Sequence, residues 1–223
     1  MTAAITSRLE ALADWGVDLD LIRLNAGWTP AHRLEIMDGI IQVGLQSRQQ
    51  TLERDRHASL LRLHFTSPKP LFANLQSLPV ICVGRLAGIL QGVPSVSYTL
   101  DLCYAQDEGT RANIIQALAP FAPDPAISSE GPVSEEILAA NATGVTIDTT
   151  LLAVRLFSAI PGIGAYDAAM PYTATLDLDG IAVRVLSLDA LLTSLTGATA
   201  AAEPDDAFFV PLVEATGLLQ RLT

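Results

Sequence analysis

Asp101 is the acidic side chain whose place in the sequence most suggests chemistry. It lies in the apolar segment from Ser97 to Tyr104, which predicts a β-strand. Because successive strand residues point to opposite faces of a sheet, Thr99 and Asp101 are expected on the same face. Carboxylates are ligands of magnesium, but the ion needs several oxygen ligands, so one carboxylate is a weak site. Asp101 is therefore a candidate catalytic residue with no obvious metal.

A glycine and an arginine come before this strand. The apolar segment Pro79–Val83 predicts a buried strand that ends at Gly84, and a helix is expected from Arg85 to Gln91. A buried carboxylate without a partner is costly, or it takes up a proton. We therefore expect the Arg85 guanidinium to pair with Asp101, and the alternative role of Arg85 is to bind an anion.

The histidines and cysteines do not form a recognisable site. His32, His57 and His64 all precede residue 65, and none is spaced as a zinc ligand with Cys82 or Cys103. The same positions disfavour a hydrolase with a nucleophile and a histidine base. Both cysteines lie in apolar segments, which predicts buried, reduced thiols and hence a cytoplasmic protein.

The distribution of charge argues against binding to nucleic acid. The chain has 223 residues and a net charge of −11. Residues 98–223 contain only four basic residues against sixteen acidic ones. Phosphate backbones are bound by clusters of Lys and Arg, which this half cannot provide. No apolar run approaches the roughly 20 residues that cross a bilayer, so no membrane span is expected.

The sequence divides at the stiff segment Ser67-Pro68-Lys69-Pro70. Residues 1–67 form a predicted N-terminal helical segment, in which Thr29 caps a helix that begins at Pro30 and ends near Asp55. One face of this helix carries an apolar stripe of Leu34, Met37, Ile41 and Leu45. The stripe could pack on the rest of the chain or form a dimer interface.

Residues 68–223 are expected to form a second domain in which helices and strands alternate. Beyond the segments already described, a hairpin is predicted around Asp179-Gly180, a dipeptide typical of tight β-turns. The other expected elements are helices over 71–76, 110–121 and 187–195 and from Pro204, with strands over 145–148 and 151–157. This alternation predicts an α/β or α+β fold with a mixed sheet flanked by helices.

The ordered series from Val80 to Leu102 resembles the nucleotidyltransferase superfamily, and most closely its small bacterial members, including toxin-type proteins. The segments that carry this resemblance are Val80-Ile81-Cys82-Val83-Gly84-Arg85, then Leu90-Gln91-Gly92-Val93-Pro94, then Tyr98-Thr99-Leu100-Asp101-Leu102. The resemblance implies a turn whose amides approach the nucleotide phosphates, and an Asp-x-Asp pair with a later third carboxylate that hold metal. It places nucleotide binding at Gly84, Arg85 and Thr99, and catalysis at Asp101.

The sequence departs from that family pattern where metal and phosphate would bind. Arg85 replaces a second glycine, Thr99 replaces the first carboxylate, and Arg155 lies in the later strand where a third carboxylate is expected. Leu195 and Asp205 stand loosely where basic residues would bind phosphate. We therefore expect a nucleotidyltransferase fold that has lost its activity, holds no cofactor, and binds a protein partner or another copy of itself.

The alternative is an active metal-dependent nucleotidyltransferase. It would use magnesium and a nucleoside triphosphate, and would transfer a nucleotidyl group to a protein, an RNA or a small molecule. Such an enzyme would need Asp101 together with further carboxylates, of which Asp148 is the nearest candidate in sequence.

Overall fold

A computed structural model of the chain describes residues 25, 27–54, 67–121, 138 and 144–198, without the side chains of 43–54 and 196–198. The predictions for the Leu45 side chain, His57, His64, the helix from Pro204 and Asp205 lie outside this description. Among the described residues, no helix is long and apolar enough to cross a membrane.

Helices and strands are interspersed along the described part of the chain, and four strands follow one another after the fourth α-helix. The helices are α1 (Pro30–Arg54), α2 (Lys69–Leu75), α3 (Gly84–Leu90), α4 (Glu108–Leu118), α5 (Tyr166–Ala169) and α6 (Leu188–Ala198). The strands are β1 (Val80–Val83), β2 (Thr99–Tyr104), β3 (Val145–Ile147), β4 (Ala153–Phe157), β5 (Ala159–Ile160), β6 (Gly164–Ala165), β7 (Thr173–Asp177) and β8 (Ala182–Leu186).

The main sheet has six strands in the order β3-β4-β2-β1-β8-β7, and β5 pairs with β6 in a separate two-stranded sheet. In the main sheet, β2 and β4 are parallel, as are β1 and β8, whereas the other neighbours are antiparallel. The predicted mixed sheet flanked by helices is therefore confirmed. Its two central strands, β2 and β1, are those that carry the candidate site.

The predicted turn from strand to helix is present at Gly84. The residue follows β1 directly, begins α3, and has a φ of 65°. Such a positive φ is strained for residues with a side chain but is readily adopted by glycine. The sequence prediction of a strand that ends at a glycine and enters a helix is thus confirmed.

The hairpin between β7 and β8 is also as predicted. Asp179 and Gly180 have φ values of 53° and 84°. Two successive residues with positive φ define the tight turn that matches the twist of antiparallel strands. The register from Thr173 opposite Leu186 to Asp177 opposite Ala182 follows from this turn.

Helix α1 packs against the elements that follow it in the chain. The backbone N–H of His32 donates to Thr29 Oγ1 at 3.2 Å, so the predicted cap is present. Leu34, Met37 and Ile41 are buried in the common core. The described part of the apolar stripe thus contributes to the core of this chain.

A buried arginine fixes where α1 lies against α3. The Arg33 guanidinium donates to the carbonyl oxygen of Leu90 at the end of α3, at 2.6 Å, and to that of Asn25 at 2.8 Å. Burial lowers the pKa of this arginine. Nothing in the sequence distinguishes Arg33 from the other arginines of the amphipathic segment.

One strand and one helix begin at other residues than predicted, because short polar side chains bind the backbone where these elements start. The Ser97 hydroxyl accepts a hydrogen bond from the Thr99 amide and donates one to the Thr99 carbonyl oxygen, which closes a turn. Strand β2 therefore begins at Thr99. Helix α4 begins at Glu108, two residues earlier than predicted. Its cap is Asp107, whose carboxylate accepts from the Thr110 amide at 2.7 Å and from the Thr110 hydroxyl at 2.6 Å.

Candidate functional site

Asp101 lies at the centre of the candidate site, near the beginning of β2. It is 5% exposed, and Thr99 is half-buried two residues earlier on the same strand. Their spacing places both side chains on one face of the sheet, as the sequence predicted. The neighbours of Asp101 across the sheet are Val83 on β1 and Arg155 on β4.

Arg155 forms a bidentate salt bridge with Asp101. Its Nε donates to Asp101 Oδ1 at 2.6 Å, and its Nη2 donates to Asp101 Oδ2 at 2.5 Å. These hydrogen bonds raise the pKa of the Arg155 guanidinium. Two parallel hydrogen bonds between a guanidinium and a carboxylate are the strongest geometry for such a pair. Both oxygens of Asp101 are therefore engaged by Arg155.

The outer side of Arg155 is supported by an aromatic ring. The guanidinium carbon lies 5.8 Å from the centroid of the Phe157 ring, two residues further along β4. A cation near an aromatic face is attracted to the ring. Although the Arg155 side chain remains 43% exposed, contacts on two sides hold it over Asp101.

Gly84 makes room for the Asp101 carboxylate. A Cβ atom placed on Gly84 would lie 2.4 Å from Asp101 Oδ2 and 3.2 Å from the carboxylate carbon. A contact of 2.4 Å is too short for a Cβ atom, so a larger residue would have to displace the carboxylate. Gly84 is thus required both by its positive φ and by the close approach of Asp101.

Arg85, which the sequence predicts to pair with Asp101, lies close to the salt bridge between Asp101 and Arg155. The Nη1 of Arg85 donates to Ser95 Oγ at 3.2 Å. Burial lowers the pKa of Arg85, and the nearby charge of Arg155 lowers it further, whereas Asp101 raises it. Arg85 is therefore within electrostatic range of both Asp101 and Arg155. Arg155 reaches Asp101 because it is the direct partner of Asp101 on the neighbouring strand, and adjacent strands are about 4.8 Å apart.

Asp148 does not join Asp101. It is exposed and follows β3, which pairs with the far side of β4. Two strand spacings, about 10 Å, therefore separate its part of the chain from β2. Across the residues that the structure describes, no group of three His, Cys, Asp or Glu side chains could hold a metal ion.

A divalent metal ion does not fit the described site. Each Asp101 oxygen already accepts a hydrogen bond from Arg155, and the guanidinium charge would repel a cation placed there. Thr99 offers only a neutral hydroxyl in place of a carboxylate. Magnesium prefers several oxygen ligands, usually including a carboxylate free to bind it.

A separate pocket lies beneath α2, on the sheet face opposite Asp101. Phe72, Leu75, Cys82 and Leu102 are among the residues that line it. Cys82 and Leu102 are opposite each other in the β1–β2 register, so they share a face that Asp101 does not share. The pocket is therefore distinct from the candidate site.

Comparison with known proteins finds a structural similarity without a matching family or curated protein. No family model matches the chain, and no curated protein matches it. The chain is similar in structure to a "putative nucleotidyltransferase" from Thermotoga maritima, with a TM-score of 0.41 and 15% sequence identity over 72% of this chain and 96% of that one.

Proposed function

We propose that this chain is a nucleotidyltransferase-fold protein that does not transfer nucleotides and acts as a binding or interaction module. The observation that supports this proposal is the bidentate salt bridge between Arg155 and Asp101. It engages the carboxylate that the family resemblance implies for catalysis. The cation beside that carboxylate is a side chain of the protein.

The surroundings of the salt bridge are consistent with loss of the activity. The two positions that would complete a set of carboxylates carry Thr99 and Arg155, one neutral and one positive. Opening the pair to admit a metal would break both hydrogen bonds of the buried Asp101 carboxylate to Arg155. The protein thus has a stable arrangement that competes with metal binding.

The proposed partner is a protein or a second copy of this chain. A net charge of −11, concentrated in residues 98–223, disfavours the phosphate backbone of a nucleic acid. No resident cofactor is proposed, because the described carboxylate that could anchor a metal is already paired.

Calorimetry with magnesium-ATP and magnesium-GTP tests the loss of activity. We expect dissociation constants weaker than about 1 mM, equivalent to less than about 4 kcal/mol of binding free energy. A mass-spectrometric search for nucleotidylated protein after incubation with each nucleotide should find no added mass. Binding in the low micromolar range, or a nucleotide adduct that disappears in D101N, would instead indicate that the protein is an active nucleotidyltransferase.

A further inference from the structure

We infer that the edge strand β7 is the surface through which two copies of this chain associate, by antiparallel pairing of β7 with β7 of the second copy. The inference rests on the proposed function in one respect, since it names the partner and the surface of an interaction module. The loss of nucleotidyl transfer is tested separately with nucleotides, so either idea can fail without the other.

The outer side of β7 is open to another strand. Ala174, Thr175 and Asp177 are exposed, and Tyr172, which directly precedes the strand, is 55% exposed. Helix α1 contacts β7 but leaves these residues exposed. The strand pairs with β8 over its whole length without a bulge, and it contains neither lysine nor proline. Bulges, lysines and prolines are the usual features that prevent an edge strand from pairing with another chain.

Hydrogen bonds at both ends of β7 fix the direction of its backbone groups. At the turn, Leu178 and Ile181 donate to each other's carbonyl oxygens, at 2.9 and 3.3 Å. At the other end, the Ser187 amide donates to the Tyr172 carbonyl oxygen at 2.8 Å. In an antiparallel pair, residues that bond to the partner strand alternate with residues that do not.

This alternation leaves every second residue of β7 with its backbone groups pointing outward. Ala174 and Leu176 bond to β8, because they lie two and four residues from both ends of the pattern. The N–H and C=O groups of Thr173, Thr175 and Asp177 therefore face away from the sheet. An added strand is the partner that satisfies such a row of groups.

One symmetric register satisfies all of these groups. When Thr175 lies opposite Thr175 of the second copy, Thr173 lies opposite Asp177 of the second copy on both sides of the two-fold axis. Each of these residue pairs exchanges both of its backbone hydrogen bonds. The interface is then isologous, which is the usual form of a dimer of identical chains.

The neighbouring symmetric registers are less favourable. An axis at Thr173 or Ala174 brings in Pro171, which has no N–H to donate. An axis at Asp177 places two carboxylates opposite each other, which is destabilising. An axis at Leu176 extends the pair into the β7–β8 turn, where the backbone has positive φ and is no longer a strand.

The side chains also match in the register centred on Thr175. On one face, Asp177 lies opposite Thr173 of the second copy, so the two carboxylates stay apart. On the other face, the exposed Ala174 lies opposite Leu176 of the second copy, which pairs a small residue with a large one. The pair is short, and a net charge of −11 on each copy opposes association. We therefore expect a weak dimer, with a dissociation constant of about 10–100 µM.

Exchange of charge at Thr175 tests the pairing, because this residue would lie opposite itself across the axis. T175K and T175E each place like charges opposite each other, whereas an equal mixture of the two places Lys opposite Glu. The matched control is the same exchange at Thr146, which is exposed on the opposite edge strand β3. The measurement is sedimentation equilibrium of the full chain, in about 0.15 M salt to screen the net charge.

The two single variants and their mixture should differ in a way that only self-pairing produces. We expect T175K and T175E each to weaken dimerisation by about fivefold or more, and their mixture to associate at least as tightly as the parent. T146K and T146E should dimerise as the parent does. A parent that stays monomeric at about 200 µM, equal weakening by the Thr146 variants, or a mixture no tighter than either variant alone would overturn the inference.

Amide hydrogen exchange, followed by NMR, locates the interface independently of any substitution. In dilute protein the amides of Thr173, Thr175 and Asp177 should exchange rapidly, and those of Ala174 and Leu176 slowly. Raising the protein concentration through the dissociation constant should slow the first three. If the parent dimerises and these three amides stay unprotected, the dimer uses another surface and the inference is wrong. A monomeric parent that also fails to bind magnesium-ATP would leave the proposed loss of activity intact.

Discussion

At the scale of single residues, the site is a contact among a glycine, a carboxylate and a guanidinium. Asp101 is held between the bare backbone of Gly84 and the two hydrogen bonds from Arg155. Each of the three residues constrains the other two. A substitution at one of them should therefore affect stability in a way that depends on the others.

Replacing Gly84 by alanine should be among the most destabilising small changes in this chain. The positive φ of 65° alone is unfavourable by about 1–2 kcal/mol for alanine. The new Cβ would also meet Asp101 Oδ2 at 2.4 Å and force the carboxylate away from Arg155. We expect a total loss of about 2–4 kcal/mol, measured by urea unfolding.

A double-mutant cycle separates the two contributions. In a D101A background the carboxylate is gone, so G84A should lose only what the backbone strain contributes. If G84A is equally destabilising with and without the Asp101 carboxylate, then the close contact does not matter and φ alone explains the glycine.

At the scale of elements, the sequence predicted the turns but not a contact between two neighbouring strands that are far apart in sequence. Gly84 and Asp179-Gly180 were predictable because their geometry is local: a glycine after an apolar run, and a dipeptide suited to positive φ. The Asp101–Arg155 pair was not predictable, because it joins residues 54 positions apart through the parallel register of β2 and β4. The family resemblance singled out the strand of Arg155, because a carboxylate is expected there, but it did not predict that Arg155 pairs with Asp101.

The hairpin between β7 and β8 allows a test of local turn geometry without any clash. A Cβ on Gly180 would meet nothing within 4 Å, but the residue has a φ of 84°. G180A should therefore destabilise the protein by about 1–2 kcal/mol through backbone strain. The matched control is G39A in α1, where a Cβ also meets nothing and the backbone is helical.

The two glycine variants should change stability in opposite directions. Alanine at position 39 should stabilise the protein by about 0.5–1 kcal/mol, because it replaces a glycine inside an exposed helix turn. The measurement is the midpoint of urea unfolding for both variants beside the parent. A neutral or stabilising G180A would mean that the turn relaxes to another conformation.

At the scale of the whole molecule, the two cysteines report on the integrity of the central sheet. Cys82 on β1 is 1% exposed, and Cys103 on β2 is 0% exposed. The register places Cys82 opposite Leu102 and Cys103 opposite Ile81, so the two thiols point to opposite faces and cannot form a disulfide without rearrangement. Both are free, as the sequence predicted.

Alkylation of these thiols should therefore be limited by unfolding of the chain. Burial raises the pKa of Cys82, with a further contribution from the charge of Asp101, and burial raises the pKa of Cys103 to about 12. The thiolate is the reactive form, so both residues are nearly inert at pH 8 while folded. We expect iodoacetamide labelling, followed by mass spectrometry, to be at least about 10³-fold slower than in denaturant, in line with the small unfolded fraction of a stable domain.

The control is T146C, which puts a thiol at an exposed position on the edge strand β3 and should react at once. Both native cysteines should react at the same slow rate, because β1 and β2 are adjacent central strands that must separate together. If Cys82 or Cys103 reacts as fast as the T146C thiol, the central sheet opens locally without unfolding of the whole chain.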